Sequence, residues 1–406
     1  MPNRSAPSPI ISLLGPAMVA GVAYLDPGNV ASNITGGSQF GYLLIWVVVM
    51  GNLIAWVVQY LSAQLGIVTG LSLPEVMGKR IQSRTGRLAY WVQGELVAMA
   101  TDVAEVIGGA VALYLLFDLP LWLGGLIVGA VSIGLLGVQS RFGPKPFERV
   151  IALFIVVIAI GFTASLFVHP VDGWAVVGGL VPRLEGSGSL LLAAAILGAT
   201  VMPHAIYAHS AFSRDRFLSA TGADIPRLLR ATRIDVTVAL AIAGAVNIAL
   251  LVVGAAVLGD NPESETLTGA YSALNDELGI GIAILFAVGL LASSLASTAV
   301  GAYAGAEIMS GLTNFSVAPI VRRVITVIPA LVLLIAGVEP TFALIVSQVI
   351  LSFGIPFALI PLILVTGTRR LMGEHRAHSA VRTLAGIATV LVIVINGGLI
   401  ALTLGA

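Results

Sequence analysis

Two short stretches carry residue types that an apolar chain has little structural use for. The first, GVAYLDPGNV at 21–30, sets Asp26, Pro27, Gly28 and Asn29 inside a hydrophobic run. The second, GATVMPHAIYAHS at 198–210, sets Met202, Pro203 and His204 inside another, with His209 just beyond. Proline removes a backbone donor and ends or kinks a helix, and glycine permits the unwound turn that follows. Each stretch therefore predicts a helix that stops and restarts, leaving carbonyl oxygens upstream of the break free to ligate a cation. Ala23 and Ala199 supply those carbonyls. The Asp26 carboxylate, the Asn29 amide oxygen and the Met202 thioether complete a ligand set. Oxygens alone would suit Mg²⁺, Ca²⁺ or Na⁺ equally; a thioether disfavours those ions and favours softer ones, here Mn²⁺ or Fe²⁺. His204 and His209 add imidazoles, the groups most easily switched near neutral pH.

The composition says what must hold these stretches. Of 406 residues, 58% are apolar and only 10% charged, and the mean hydropathy is +1.02. That excludes an ordinary soluble domain and indicates a polytopic membrane protein. A net charge of zero with no long basic block argues against nucleic acid as a partner. The absence of cysteine excludes disulfides, thiolate zinc sites and iron–sulfur clusters. The N-terminus lacks a basic n-region and an A-x-A cleavage site, so Ile10 onward reads as a first span and not a cleaved signal.

A hydrocarbon core of about 30 Å needs about 20 apolar residues per helix. Eleven segments qualify: 10–39, 42–68, 88–117, 119–139, 147–167, 188–213, 229–258, 279–311, 317–337, 341–366 and 380–404. They are too long and continuous for barrel strands. With the N-terminus in the cytoplasm, nineteen of the twenty basic residues fall in cytoplasmic connections, Arg183 being the exception. The positive-inside rule thus predicts a cytoplasmic N-terminus and an external C-terminus. The longest outer connection, 259–278, is acidic, with Asp260, Glu263, Glu265, Asp276 and Glu277.

The two breaks fall in segments one and six, an odd number of helices apart, so the second unit enters the membrane inverted. Paired broken helices at matching positions of two halves are the sequence sign of an inverted-repeat transporter with a midplane site. The expected architecture is one all-α transmembrane transporter domain over 1–406, with repeats at 10–167 and 188–366 and an appended helix at 380–404. Segment three adds Glu95, Asp102 and Glu105, which steps of seven and ten residues place within about 80° on one helix face, rising over about 15 Å. Three acids at membrane depth on one face point to a proton or ion path. Arg322 and Arg323 open segment nine and are placed to pair with them, and Asn247 in segment seven extends the set.

DPGN (26–29) and MPH (202–204) resemble the signature motifs of the Nramp (natural resistance-associated macrophage protein) metal transporters. QFGYLLIW (39–46), LGIVTG (65–70), TDVAEVIGGAVAL (101–113) and SQVILSFGIPFALIPL (347–362) are similar as well. The resemblance implies eleven helices in a LeuT-like 5+5 inverted repeat. It implies a proton-coupled importer of manganese and related divalent ions in the inner membrane, with Fe²⁺, Co²⁺ and Cd²⁺ satisfying the same ligands. It assigns metal ligation to Asp26, Asn29, Met202 and the Ala23 and Ala199 carbonyls, with Gln348 joining in some conformations. It also implies a polar network of helix-3 acids and helix-9 arginines leading to the cytoplasm. The implied partners are the metal ion, the proton and the bilayer; no permanent cofactor, enzymatic activity or obligate protein partner is expected. The chain departs from the family pattern at Ala205, Ala208, Leu295, Ala306 and Ser310, and carries an acid at Glu307.

Other readings fit less well. An amino-acid carrier of the same fold would find Asp26 repelling its substrate carboxylate and Met202 without a use. A Mg²⁺ carrier has no need of the thioether. An intramembrane hydrolase lacks H-E-x-x-H, G-x-S-x-G or a Cys/His pair. An open channel has no need of paired breaks.

Overall fold

The computed structural model describes residues 13, 15–142, 144–218, 224–259, 265–313 and 317–405. Arg4, the first residues of the 10–39 segment, and Asp260 and Glu263 of the acidic connection lie outside the described residues. All regular structure among the described residues is helical.

The first predicted segment is broken as expected. α1 (Pro16–Gly21) runs into a 3-10 turn (Val22–Leu25), and α2 (Pro27–Phe40) follows. The remaining elements of the first half are α3 (Ile45–Thr69), α4 (Leu73–Arg80), α5 (Arg84–Phe117), α6 (Leu121–Phe142), α7 (Pro144–Thr163) and the short α8 (Gly173–Gly178). The sixth segment is also two helices, α9 (Gly186–Thr200) and α10 (Pro203–Arg216). Then come α11 (Ile225–Val257), α12 (Leu267–Leu278), α13 (Ile280–Thr313), α14 (Pro319–Ile335), α15 (Pro340–Thr366), α16 (Arg369–Met372) and α17 (Ser379–Gly405). Among the described residues, eight helical runs are long and apolar enough to cross a membrane; one of them, Pro27–Thr69, contains both α2 and α3. Pro16–Leu25 and Leu121–Leu135 are shorter apolar helices.

Short helices are where the sequence reading differs from the structure. The 259–278 connection holds α12, started by the Thr266 side chain, which accepts the Gly269 N–H at 3.0 Å. Likewise α4 begins with a capping box: the Ser72 hydroxyl accepts the Glu75 N–H at 3.3 Å, and Glu75 accepts the Ser72 N–H at 2.7 Å. Two or three turns give no apolar signal of spanning length, so only the caps announce them.

The prolines start helices here and do not kink them. Asp26 is extended (φ −69°, ψ 165°) and caps α2, with Pro27 in the first turn. Met202 is extended (φ −66°, ψ 119°) ahead of Pro203 in α10. Glycines let neighbouring helices close on both breaks. A Cβ at Gly108 of α5 would stand 2.1 Å from Pro27 Cβ, and one at Gly354 of α15 would stand 3.2 Å from Pro203 Cγ. Without a hydrophobic drive in lipid, close approach of this kind supplies the association energy. A close crossing with glycine on both sides joins α2 to α11 at Gly37 and Gly254, where a Gly37 Cβ would lie 2.1 Å from the Leu251 carbonyl.

A side chain at Gly37 must therefore separate α2 from α11, at an overpacking cost of about 1–3 kcal/mol. Gly37→Ala should lower the melting temperature of the detergent-purified protein, while Gly134→Ala, with open space around the new Cβ, should leave it unchanged.

Candidate metal site at the paired helix breaks

The two breaks meet. Asn29, in the first turn of α2, donates from Nδ2 to the Ala199 carbonyl of α9 at 2.7 Å and to Asp26 Oδ1 at 2.8 Å. Asp26 Oδ1 also accepts the Asn29 backbone N–H at 2.8 Å, and Asp26 Oδ2 accepts Gln348 Nε2 of α15 at 3.3 Å. The Ala23 carbonyl accepts the Asp26 N–H at 3.3 Å. Asp26, Asn29, Met202, Ala199 and Gln348 are fully buried, and Ala23 nearly so.

Gln348 is fixed by both halves. A Cβ at Gly28 would sit 1.7 Å from Gln348 Nε2, and one at Gly198 would sit 1.9 Å from the Gln348 carbonyl. Glycine at both positions lets one residue of α15 lie against both broken helices. Two amide oxygens at this junction, Asn29 Oδ1 and Gln348 Oε1, are buried without a hydrogen-bond partner. A buried acceptor left unmade carries a desolvation cost of about 1–3 kcal/mol. Two such acceptors beside a carboxylate are what a cation would satisfy, and the Met202 sulfur is the soft donor among the buried residues of the second break.

Other carbonyls freed by the first break are taken by protein. Asn247 of α11 donates to the Tyr24 carbonyl at 2.9 Å, and Asn33 Nδ2 donates to Asn247 Oδ1 at 3.4 Å. The Ser293 hydroxyl of α13 donates to the Leu25 carbonyl. Asn247 thus stands at the break itself. Ser293 and Asn33 escaped the sequence reading, because single hydroxyls and amides in membrane helices commonly bond their own backbone.

The helix-3 acids lie on α5 and meet the arginines of α14. Arg323 Nη1 reaches Asp102 Oδ1 at 2.5 Å and stands 3.6 Å from Glu105. Its other nitrogens donate to Ser132 at 2.8 Å and Thr298 at 3.2 Å. Arg322 reaches Glu95 at 2.8 Å and stands 3.8 Å from Asp102. Arg323, Asp102 and Glu105 are buried in membrane depth, where a charge must be paired. His204 Nδ1 lies 3.0 Å from the hydroxyl of Thr101, the neighbour of Asp102. His209 Nδ1 lies 2.5 Å from Gln59 Oε1, and Gln59 in turn donates to the Tyr24 hydroxyl. Ser132, Thr298 and Gln59 have no motif that would have singled them out, and Thr101 opens the TDVAEVIGGAVAL stretch without being assigned a role there.

The divergent acid Glu307 is also paired. It accepts both terminal nitrogens of Arg214, at 2.7 and 3.2 Å.

Buried broken helices facing one another, with oxygen donors at the junction and a buried thioether at the second break, are the arrangement of a helical membrane transporter. The comparisons narrow this further. The family model for natural resistance-associated macrophage protein-like proteins matches residues 17–402, and the chain belongs to that family. The divalent metal cation transporter MntH of Mycobacterium tuberculosis (strain ATCC 25618 / H37Rv) is 57% identical over 392 residues, covering 96% of this chain and 91% of the relative. MntH of Deinococcus radiodurans is 44% identical over 393 residues, covering 96% and 90%. A crystal structure of the Eremococcus coleocola manganese transporter superposes with a TM-score of 0.86 at 29% identity, covering 97% of this chain and 88% of that one. MhsT in complex with L-phenylalanine shares the fold at a TM-score of 0.62 and 16% identity.

Removing one partner from a buried ion network leaves the others uncompensated, at about 3–5 kcal/mol. Arg323→Met should destabilise the purified protein by that amount in thermal or denaturant unfolding. Adding Asp102→Asn should return part of it, since fewer buried carboxylates then lack a countercharge.

Proposed function

We propose that the chain imports divalent transition-metal ions, Mn²⁺ first and Fe²⁺, Co²⁺ and Cd²⁺ on the same ligands, together with protons, by alternating access. The observation that carries this reading is the junction of the breaks. Asn29 bridges Asp26 to the Ala199 carbonyl, and two unpaired amide oxygens stand beside them. The names of the MntH relatives and of the Eremococcus transporter support divalent metal as the cargo. We read the eleven segments as spans of two inverted five-helix repeats plus α17, with the N-terminus in the cytoplasm and the C-terminus outside.

In the mechanism, Asp26, Asn29, Met202 and the Ala23 and Ala199 carbonyls take the ion from outside, with Gln348 adding its amide oxygen as the site closes. A proton enters at Asp26 and passes by way of His204 toward Asp102 and Glu105. Arg322, Arg323 and Glu95 carry the path toward the cytoplasm. His209 and Asn247, which reach the first break through Gln59 and the Tyr24 carbonyl, extend the proton path on the site side as α1 swings to release the metal. Metal and proton interact at Asp26 because only the ionised carboxylate binds the cation well.

Two measurements test this. In a competition assay on proteoliposomes, Met202→Ala should let Ca²⁺ and Mg²⁺ gain on Mn²⁺, because the soft donor is gone; unchanged competition would refute the selectivity argument. With an internal pH dye, Asp102→Asn should lose acidification that accompanies Mn²⁺ uptake. Mn²⁺ entry with unaltered proton flux would exclude the assigned route.

A further inference from the structure

The two half-helices at the site are held to the rest of the molecule in different ways. α1 is short, and two carboxylates lie at its N-terminus: Asp235 of α11 accepts the Gly15 and Ala17 N–H groups at 3.0 and 2.9 Å, and the Glu148 carboxylate of α7 packs against Gly15. α10, which begins one residue after Met202, is fastened along its far end to two other elements. Tyr303 and Glu307 lie one turn apart on α13. Tyr303 stacks on Phe212 of α10 with ring centroids 4.2 Å apart, and its hydroxyl donates to Asp215 at 2.6 Å. Glu307 takes both terminal nitrogens of Arg214. Arg214 Nη1 also reaches Glu75 of α4 at 2.6 Å, so one guanidinium joins α4, α10 and α13.

Backbone contacts reinforce the same junction. The Leu73 N–H at the start of α4 donates to Ser210 of α10 at 3.0 Å. A Cβ at Gly66 of α3 would lie 2.1 Å from the Ser210 carbonyl, and one at Gly78 of α4 would lie 2.0 Å from the Gly311 carbonyl of α13. Burial pushes the Glu75 carboxyl up, but the Ser72 N–H and then the Arg214 guanidinium outweigh it and hold it below the usual range. The anionic form that grips Arg214 is therefore the stable one.

We propose that Arg214, Glu75 and Glu307 are positioning residues that keep α10 stationary through the transport cycle. The second break then holds Met202 and the Ala199 carbonyl in place while α1 moves. This rests on the metal-transport reading above. It also gives the acid Glu307 a role that the metal ligands do not provide.

The chain has no native cysteine, so an Arg214→Cys/Glu307→Cys pair, which replaces an ion pair between α10 and α13, can be bridged selectively by a short bifunctional thiol reagent. The unbridged pair lacks the ion pair that fastens α10 and should take up Mn²⁺ into proteoliposomes about tenfold to a hundredfold more slowly than the parent, the scale of loss when metal ligands lose their outer support. Bridging α10 to α13 should restore most of the rate, because a stationary junction tolerates a covalent link. Bridging that abolishes uptake would overturn the proposal, since it would mean that the junction opens in each cycle. Parental uptake by the unbridged pair would overturn it as well. Should the double variant not fold, Glu307→Gln measured with its Mn²⁺ binding heat serves instead. A slowed rate with retained heat is expected, and an unchanged rate overturns the proposal. Failure of the parent itself to transport Mn²⁺ would refute the metal-transport reading and is distinguishable from these results.

Discussion

A backbone polar group inside a membrane must find its partner within the protein, because the hydrocarbon offers none. The rest of this structure follows from breaking two helices under that constraint. At the first break, Asn247 takes the Tyr24 carbonyl, Ser293 takes the Leu25 carbonyl and Asp26 caps the helix that restarts. At the second, Asn29 reaches across to the Ala199 carbonyl. Each break is thus completed partly by the other, and partly by α11, α13 and α15. The elements packed around the site are those that supply donors to exposed carbonyls or glycines to admit them.

The chemistry of the site was legible in the sequence because it required residues that lipid-facing helices avoid. An aspartate, an asparagine and two prolines stand out against a chain that is 58% apolar. The breaks follow from the prolines, and α2 and α10 begin at Pro27 and Pro203 as their chemistry dictates. The acids of α5 were legible for the same reason, and their spacing gave their common face. The partners were not. Ser132, Thr298, Ser293 and Gln59 become visible only when helices distant in sequence are packed together, since each is unremarkable among its own neighbours. Short helices such as α4 and α12 were hidden for a different reason: a capping box can start a helix of two turns, but no periodicity follows that is long enough to read.

Glycine usage illustrates how far local reading reaches. Gly28 looks like part of a helix breaker, and its backbone does lie at the break. Its further constraint comes from Gln348, distant in sequence, whose amide occupies the space a Cβ would need. Gly198 is similar: it lies inside a regular helix, α9, where nothing local demands glycine, yet the Gln348 carbonyl presses on it. The same residue of α15 therefore imposes glycine on both broken helices.

Charge balance ties the metal site to the polar track. Counted as ionised, Glu95, Asp102 and Glu105 face Arg322 and Arg323, so one negative charge is left over in the track. Asp26 adds a second, with only amide and backbone donors around it. An excess of this kind, mostly withdrawn from water, is costly unless cations neutralise it. On the proposed reading, a divalent metal at the breaks and protons in the track both serve that end, drawing on one shared deficit. Occupancy by one then changes the cost of admitting the other, without any contact between them. Coupling of this sort follows from placing three acids, two of them buried and one partly so, against two buried arginines, with one more buried acid at the break.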